Sequence, residues 1–254
     1  MSFDVAAEAY DRFMGRFSQP LAEEFATWAR LPESGRALDV GCGPGALVAV
    51  LATRLGERSV SAIDPSASFV AAARERFPAA DVREASAEDL PFPDASFDAT
   101  LAALVVHFMT DAAVGVREMV RVTRPGGVVA ACVWDFAGGR APQTAFFRSL
   151  STVADDVDDE SGRVGARAGD IPALLRGAGC LDVVEDELTV AVRYEGFEEW
   201  WSTYTLGVAP PGRQLAALAS ADRERVREHA RAALPAGPFT VTATAWAARG
   251  VAPA

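Results

Sequence analysis

The 254-residue sequence contains no lysine and no asparagine, so all 24 of its basic side chains are arginine. Without lysine there can be no GxxxxGK phosphate loop, no pyridoxal Schiff base and no lysine nucleophile. Without asparagine there is no N-glycosylation acceptor. Histidine occurs only at positions 107 and 229, too sparsely for a His-rich metal site, and Cys42, Cys132 and Cys180 lie too far apart for CxxC metal or redox motifs. No GxSxG elbow marks a hydrolase. No stretch reaches the roughly 18 apolar residues of a membrane span. The opening MSFDVAAEAYDRF also lacks the basic start and apolar run of an export signal. These absences lead us to expect a reduced, cytoplasmic protein with no membrane partner. A net charge of -11 with no basic block opposes docking on a phosphate backbone, so nucleic acid is not an expected partner.

Half of the residues are apolar and 23% are charged, an ordinary globular balance. We expect one domain over 1–254, with an N-terminal helical cover at 1–30, a ligand-binding core at 36–134 and a helical insertion at 195–236. In the cover, Tyr10, Phe13, Met14, Phe17, Leu21, Phe25 and Trp28 recur at helical spacing, and Gly15, Ser18 and Pro20 predict two helices joined near 15–19. Next come a short strand (RALDV), a glycine turn, a helix ending at Gly56, a second strand (VSAID) and a helix over 66–77, which together make a parallel crossover unit. The alternation continues with strands near 81–84, 97–105 and 128–134 around a helix at 112–122, predicting an α/β, doubly wound, mostly parallel sheet with helices on both faces. Helices near 143–153 and over IPALLRGAG precede a long strand at 181–194. The last strand, PFTVTATAWAAR, would form an antiparallel hairpin with it were it not for the helical insertion, broken at Pro210-Pro211-Gly212, which we expect to be carried above the sheet as a lid.

The turn Asp39-Val40-Gly41-Cys42-Gly43-Pro44-Gly45 lets the backbone approach a ligand closely. Gly41-x-Gly43-x-x-Ala46, with Asp64 following 18 residues later, also satisfies the permissive dinucleotide pattern, so the glycines alone do not separate NAD from a smaller adenosine ligand. Asp39 supplies an acceptor for an ammonium and Pro44 removes an amide that a pyrophosphate would use, which favours a zwitterion. Asp64, ending its strand before Pro65 and Ser66, can accept from two ribose hydroxyls or cap the next helix; Ser66 is better placed for the cap. Ser86 and the Ala87 amide, in SAEDLPFPDASFD, can meet an adenine edge.

DVGCGPG, the strand-end Asp64, AEDLPFPDASFD and EMVRVTRPGG together resemble the class I S-adenosylmethionine-dependent methyltransferases, near the ubiquinone and menaquinone biosynthesis group, over residues 36–134. The resemblance implies a Rossmann-like fold and S-adenosyl-L-methionine as cofactor. It implies that Gly41, Cys42, Gly43 and Gly45 line the methionine part and that Asp64, with Pro65 and Ser66, lies at the ribose. Ala87 and Glu88 would flank the adenine, and Ala103 and Leu104 would pass beneath the sulfonium. Ser86 stands where the family usually has an aspartate. Arg16 is expected to pair with the cofactor carboxylate and Tyr10 to cover it. His107, just after the fourth strand, is the candidate catalytic base, with a supporting loop histidine as the alternative.

Phe197, Trp200, Trp201 and Tyr204 form one helical face of the insertion. Trp200, Trp201 and Tyr204, with Phe13, are expected to wall the pocket of a small-molecule acceptor. The run from Asp155 to Glu160 is expected to be a solvated, mobile loop. The leading reading is methyl transfer to oxygen, nitrogen or carbon of a small molecule. The alternatives are a methyltransferase acting on protein or nucleic acid, an NAD-type oxidoreductase and a cofactor-binding protein without catalysis. Acidity and the absence of an Asp/Asn/Ser-Pro-Pro-aromatic turn weigh against the macromolecular reading.

Overall fold

The computed structural model describes residues 7–254; the start of the expected cover, residues 1–6, lies outside the described residues. Seven strands form one sheet in the order β3-β2-β1-β4-β5-β7-β6. They are β1 (Ala37–Val40), β2 (Val60–Asp64), β3 (Asp81–Glu84), β4 (Phe97–Ala103), β5 (Thr123–Trp134), β6 (Leu181–Tyr194) and β7 (Phe239–Val251). The first five are parallel, and β7 runs antiparallel to both β5 and β6. Residue chemistry explains the order. Every residue of ALDV and VSAID is buried, as the inner strands of a sheet covered on both faces require. The edge strand β6 instead alternates exposed and buried positions from Leu188 onward.

The helices are α1 (Ala7–Tyr10), α2 (Arg16–Trp28), α3 (Ala46–Leu55), α4 (Ala67–Arg76), α5 (Ala112–Val122), α6 (Thr144–Leu150), α7 (Asp170–Gly177), α8 (Phe197–Tyr204), α9 (Ala209–Ala217) and α10 (Ser220–Ala233). They lie on both faces, with α2 against α3 on one side and α5 against α7 on the other. Ser66 caps α4, accepting from the Phe69 amide, and Asp111 caps α5, accepting from the Val114 amide at 3.0 Å.

Two expectations change. The N-terminal segment is not two helices joined at 15–19: a π turn at Asp11–Gly15 leads directly into α2, which continues through Pro20. Phe13, Met14, Phe17, Leu21 and Phe25 stay buried along one face, so packing outweighs the breaker residues and the wide turn absorbs the mismatch. Likewise Pro210-Pro211-Gly212 is not a break but the first turn of α9, where a missing N–H loses no helical bond.

The register places the carboxyl ends of β1, β2 and β4 side by side: Asp39 pairs with Ala62 and Leu101, and Ile63 with Val40. In such sheets the ligand crevice opens outside these ends, where the strand order reverses.

Candidate active site

The turn after β1 is fixed by backbone bonds: the Gly41 and Cys42 amides donate to Ile63 O at 2.8 and 2.9 Å, and Gly45 N to Cys42 O at 3.0 Å. Gly41 has φ +74, and a Cβ there would lie 2.4 Å from Val105 Cγ2, so only glycine fits. Gly43 has φ +53, and a Cβ on it would meet no atom within 4 Å. That side of the turn faces open space. A cleft there is lined by Tyr10, Ser18, Leu21 and Ala22, by Asp39, Gly41, Cys42, Gly43 and Pro44, and by Ala103 and Leu104.

Asp39 is 1% exposed, and its Oδ2 has no hydrogen-bond partner among the described residues. Burial first, then the neighbouring Asp64, pushes its carboxyl up to about 8. A cation entering the cleft would relieve this group. Asp64 is buried as well; Oδ2 accepts from Gly43 N at 2.9 Å and Oδ1 from Ser66 N at 2.8 Å. Each oxygen keeps a lone pair, so holding the turn and accepting from a ribose are compatible. The cleft thus offers the Asp39 carboxylate to an ammonium beside a glycine surface, and Asp64 holds that surface from the next strand end without lining the cleft itself. These features suit the methionine and ribose of S-adenosylmethionine. A pyrophosphate would face the buried Asp39.

The remaining sequence candidates divide. Pro65 is exposed and is not among the residues lining the cleft. Ser86, Ala87 and Glu88 follow β3, whose exit is tied to β2 by Ala85 N donating to Asp64 O at 3.1 Å. Ser86 donates to Glu88, and Glu88 Oε1 accepts from Thr110 N at 2.7 Å, so these polar groups close a turn and leave Ser86 acting toward a ligand only as an acceptor. Arg16 is not brought to the cleft. It donates to Arg193 O at 2.8 Å, pairs with Glu199 at 2.8 Å and lies 4.4 Å over the Tyr194 ring, tying α2 to β6 and α8. The expected pairing with the cofactor carboxylate is replaced by this cross-link, because the inserted helix supplies a closer anion.

A second, small cavity of about 20 Å³ adjoins the first, of about 40 Å³, so that either must widen to admit a ligand. Tyr10 and Leu104 line both, and its other walls are Phe13, Met14, His107, Phe108, Trp134, Phe136, Gln143, Glu160, Ala209 and Pro210. Leu104 adopts φ +62, a conformation unusual for a branched side chain, and its amide donates to Cys132 O at 2.8 Å, which turns the chain abruptly at the end of β4. His107 is buried, its ring is 3.9 Å from that of Phe108, and its Nδ1 has no partner. Burial, with Arg163 nearby, holds it down to about 3. It is a neutral ring at ordinary pH, and so weak a base is poorly matched to taking a proton.

Two expectations about this cavity are corrected. Trp200, Trp201 and Tyr204 are not on its wall. Tyr204 stacks on Phe146 at 4.2 Å and meets Phe13 at 5.7 Å, Trp200 is 4.8 Å from Tyr204, and Trp201 stacks on Phe197 at 5.9 Å. They pack behind Phe13, because an aromatic stripe buries most apolar area where three helices converge, and Trp201 and Tyr204 also line a separate cleft of the insertion with Gly212, Leu215 and Arg227. The insertion reaches the cavity with Ala209 and Pro210 instead. The acidic loop is not wholly solvated either: Asp155, Asp156, Asp158 and Asp159 are exposed, but Glu160 is 2% exposed and faces the cavity. Sequence reasoning missed Glu160, Gln143, Trp134 and Phe136; of these only Trp134 and Phe136, at the carboxyl end of a predicted strand, carried a positional signal.

Comparison with known proteins agrees with this geometry. Residues 38–131 match the methyltransferase domain family. The malonyl-acyl-carrier-protein O-methyltransferase of Erwinia billingiae is 34% identical over 128 residues, 50% of this chain and 50% of that protein. The chain spans about half the length of the curated relatives it matches. The YcgJ protein of Bacillus subtilis has a similar fold, with a TM-score of 0.59 over 93% of this chain and 98% of that one at 18% identity. So does phosphoethanolamine N-methyltransferase 2 of Haemonchus contortus, solved in complex with S-adenosyl-L-methionine, with a TM-score of 0.59 over 98% and 57% at 15% identity. The matched segment, the strand order and the glycine turn between two strand-end aspartates make residues 38–131 similar to the methyltransferase domain of the class I S-adenosylmethionine-dependent enzymes.

Proposed function

We propose that the chain transfers the methyl group of S-adenosylmethionine to a small, mostly apolar acceptor held in the second cavity, and that it acts in the cytoplasm. The observation that carries the reading is the junction of the two cavities at Tyr10 and Leu104. Asp39 and the Gly41–Gly45 turn would hold the methionine part and Asp64 the ribose. The cofactor supplies a methyl group activated by its sulfonium. The chain's own contribution is alignment and exclusion of water: Phe13, Met14, Phe108, Phe136 and Pro210 make a dry wall for the acceptor. His107 would act there as a neutral hydrogen-bonding group. Within this reading 1–30 is a cover, 36–134 the cofactor core and 195–236 a lid whose Ala209 and Pro210 close the acceptor side.

Incubating the protein with S-adenosylmethionine and a metabolite panel, and reading products by mass, tests the proposal. A small molecule gaining one methyl supports it. Methyl gain only on added protein or RNA, or binding of NAD in place of S-adenosylmethionine, overturns it.

A further inference from the structure

We propose that Glu160, with Gln143 and His107, forms a polar end of the acceptor cavity that selects molecules presenting an N–H or O–H donor, an amine or a hydroxyl, on an apolar body. The inference rests on the second cavity being the acceptor pocket.

Glu160 lines that cavity while only 2% exposed, and its Oε1 has no hydrogen-bond partner among the described residues. The nearest cation, Arg163, has Nη1 3.3 Å from it outside hydrogen-bond geometry. The two form an ion pair without a hydrogen bond: Arg163 Nη2 donates to Asp158 at 2.6 Å and the guanidinium lies 5.3 Å over the Phe108 ring, while the Nη1 facing Glu160 also lacks a hydrogen bond among the described residues. A buried carboxyl normally satisfies its oxygens, so an unsatisfied one on a cavity wall points to a group that arrives with the ligand. Its backbone strengthens the case. Glu160 has φ +66, a region where glycine is at home and an L side chain is strained, so the side chain is held here against local preference.

The rest of the wall has the same polarity. Gln143 Oε1 and His107 Nδ1 are also buried without partners, and the neutral imidazole can accept at one nitrogen. Among the described residues two unpartnered donors stand against these three acceptors, the Trp134 indole N–H on the cavity wall and the Arg163 Nη1 that faces Glu160. An occupant bearing N–H or O–H groups satisfies the excess acceptors. A carboxylate would set a second acceptor-only group against Glu160 and lose affinity. Burial pushes the Glu160 carboxyl up to about 7, Arg163 opposing, so an incoming amine finds a group that ionises readily beside it.

The test uses three probes sharing one ring and differing at its end: phenethylamine, 2-phenylethanol and phenylacetate. Each is titrated by calorimetry into the full chain already saturated with S-adenosylhomocysteine. The amine and the alcohol should bind, with phenylacetate at least tenfold weaker than the amine. Glu160→Gln should weaken the amine at least tenfold at unchanged S-adenosylhomocysteine affinity, and Gln143→Leu should weaken it severalfold. Equal affinity for phenylacetate, no binding of any probe, or an amine affinity indifferent to Glu160→Gln overturns the inference. Should Glu160→Gln not fold, the probe order in the parent and the Gln143→Leu result decide. If S-adenosylhomocysteine itself does not bind, the methyltransferase reading fails first and takes this inference with it.

Discussion

The two cavities that meet at Tyr10 are built in opposite ways. The cleft side takes seven of its lining residues from one short run, Asp39 to Leu47, with Ala103 and Leu104 at the end of the neighbouring strand and Tyr10, Ser18, Leu21 and Ala22 of the N-terminal helices across from them. The acceptor side is assembled from seven separated places: Tyr10–Met14, Leu104, His107–Phe108, Trp134–Phe136, Gln143, Glu160 and Ala209–Pro210. Yet each contains one buried, incompletely paired carboxyl, Asp39 on one side and Glu160 on the other. On the proposed reading a contiguous turn would hold the cofactor, whereas dispersed residues, which can change separately, would set the acceptor.

Separate construction predicts separable damage. The largest effect should come from Trp200→Ala, which empties a fully buried site in the helical insertion and should destabilise folding by about 3 to 5 kcal/mol. Denaturant unfolding measures that loss. Calorimetry on the folded fraction should show S-adenosylhomocysteine affinity unchanged, and a parallel fall would mean that the two sides are one unit. Next, Asp64→Ala should weaken cofactor binding by about 2 to 3 kcal/mol, the scale of losing a charged acceptor to two hydroxyls. It should leave probe selectivity on the acceptor side in place at saturating S-adenosylhomocysteine.

Titration sharpens the comparison further. Unfolded, Asp39 and Glu160 would release their protons near 3.8 and 4.5; folded, they hold them to about 8 and about 7. The folded protein therefore carries protons that the unfolded chain has lost, and these two groups make stability fall as pH rises through that window, Glu160's part levelling near 7 and Asp39's near 8. Unfolding curves between pH 5 and 8.5 should be flatter for Asp39→Asn and for Glu160→Gln, each removing its own part. The smallest effect belongs to Arg16→Ala. The Arg16–Glu199 pair is partly exposed on both sides, so its loss should change stability by no more than about 1 kcal/mol and leave cofactor affinity alone. A marked fall in cofactor affinity would return Arg16 to the cleft.

The same asymmetry governs how much could be read from the chain. The fold was legible because the burial pattern of ALDV and VSAID, the Ser66 cap and the glycine turn are local signals, each expressed within a few residues. Asp39 and Asp64 were legible for the same reason: strand ends fall where the crevice must be. Glu160 was not, since nothing adjacent distinguishes it from the exposed Asp158 and Asp159; its burial depends on how its loop packs against segments far away in sequence. The stripe Trp200, Trp201 and Tyr204 misled in the other direction. Helical periodicity shows that a face is buried but not whether a ligand or a neighbouring helix covers it. Pro20 and the pair Pro210-Pro211 read as breaks and proved to be tolerated, because the first follows a π turn and the pair opens a helix.

The central claim is that the glycine turn holds an adenosyl amino acid with Asp39 opposite its ammonium. Titrating S-adenosylhomocysteine into the protein between pH 6 and 8, in two buffers of different ionisation heat, tests it most directly. Because Asp39 keeps its proton to about 8 in the free protein and must give it up to pair with the ammonium, affinity should rise with pH and binding should release a proton to the buffer. Asp39→Asn should bind more weakly and lose that release. Absence of binding, or binding with no proton release in the parent and no change on Asp39→Asn, would contradict the account.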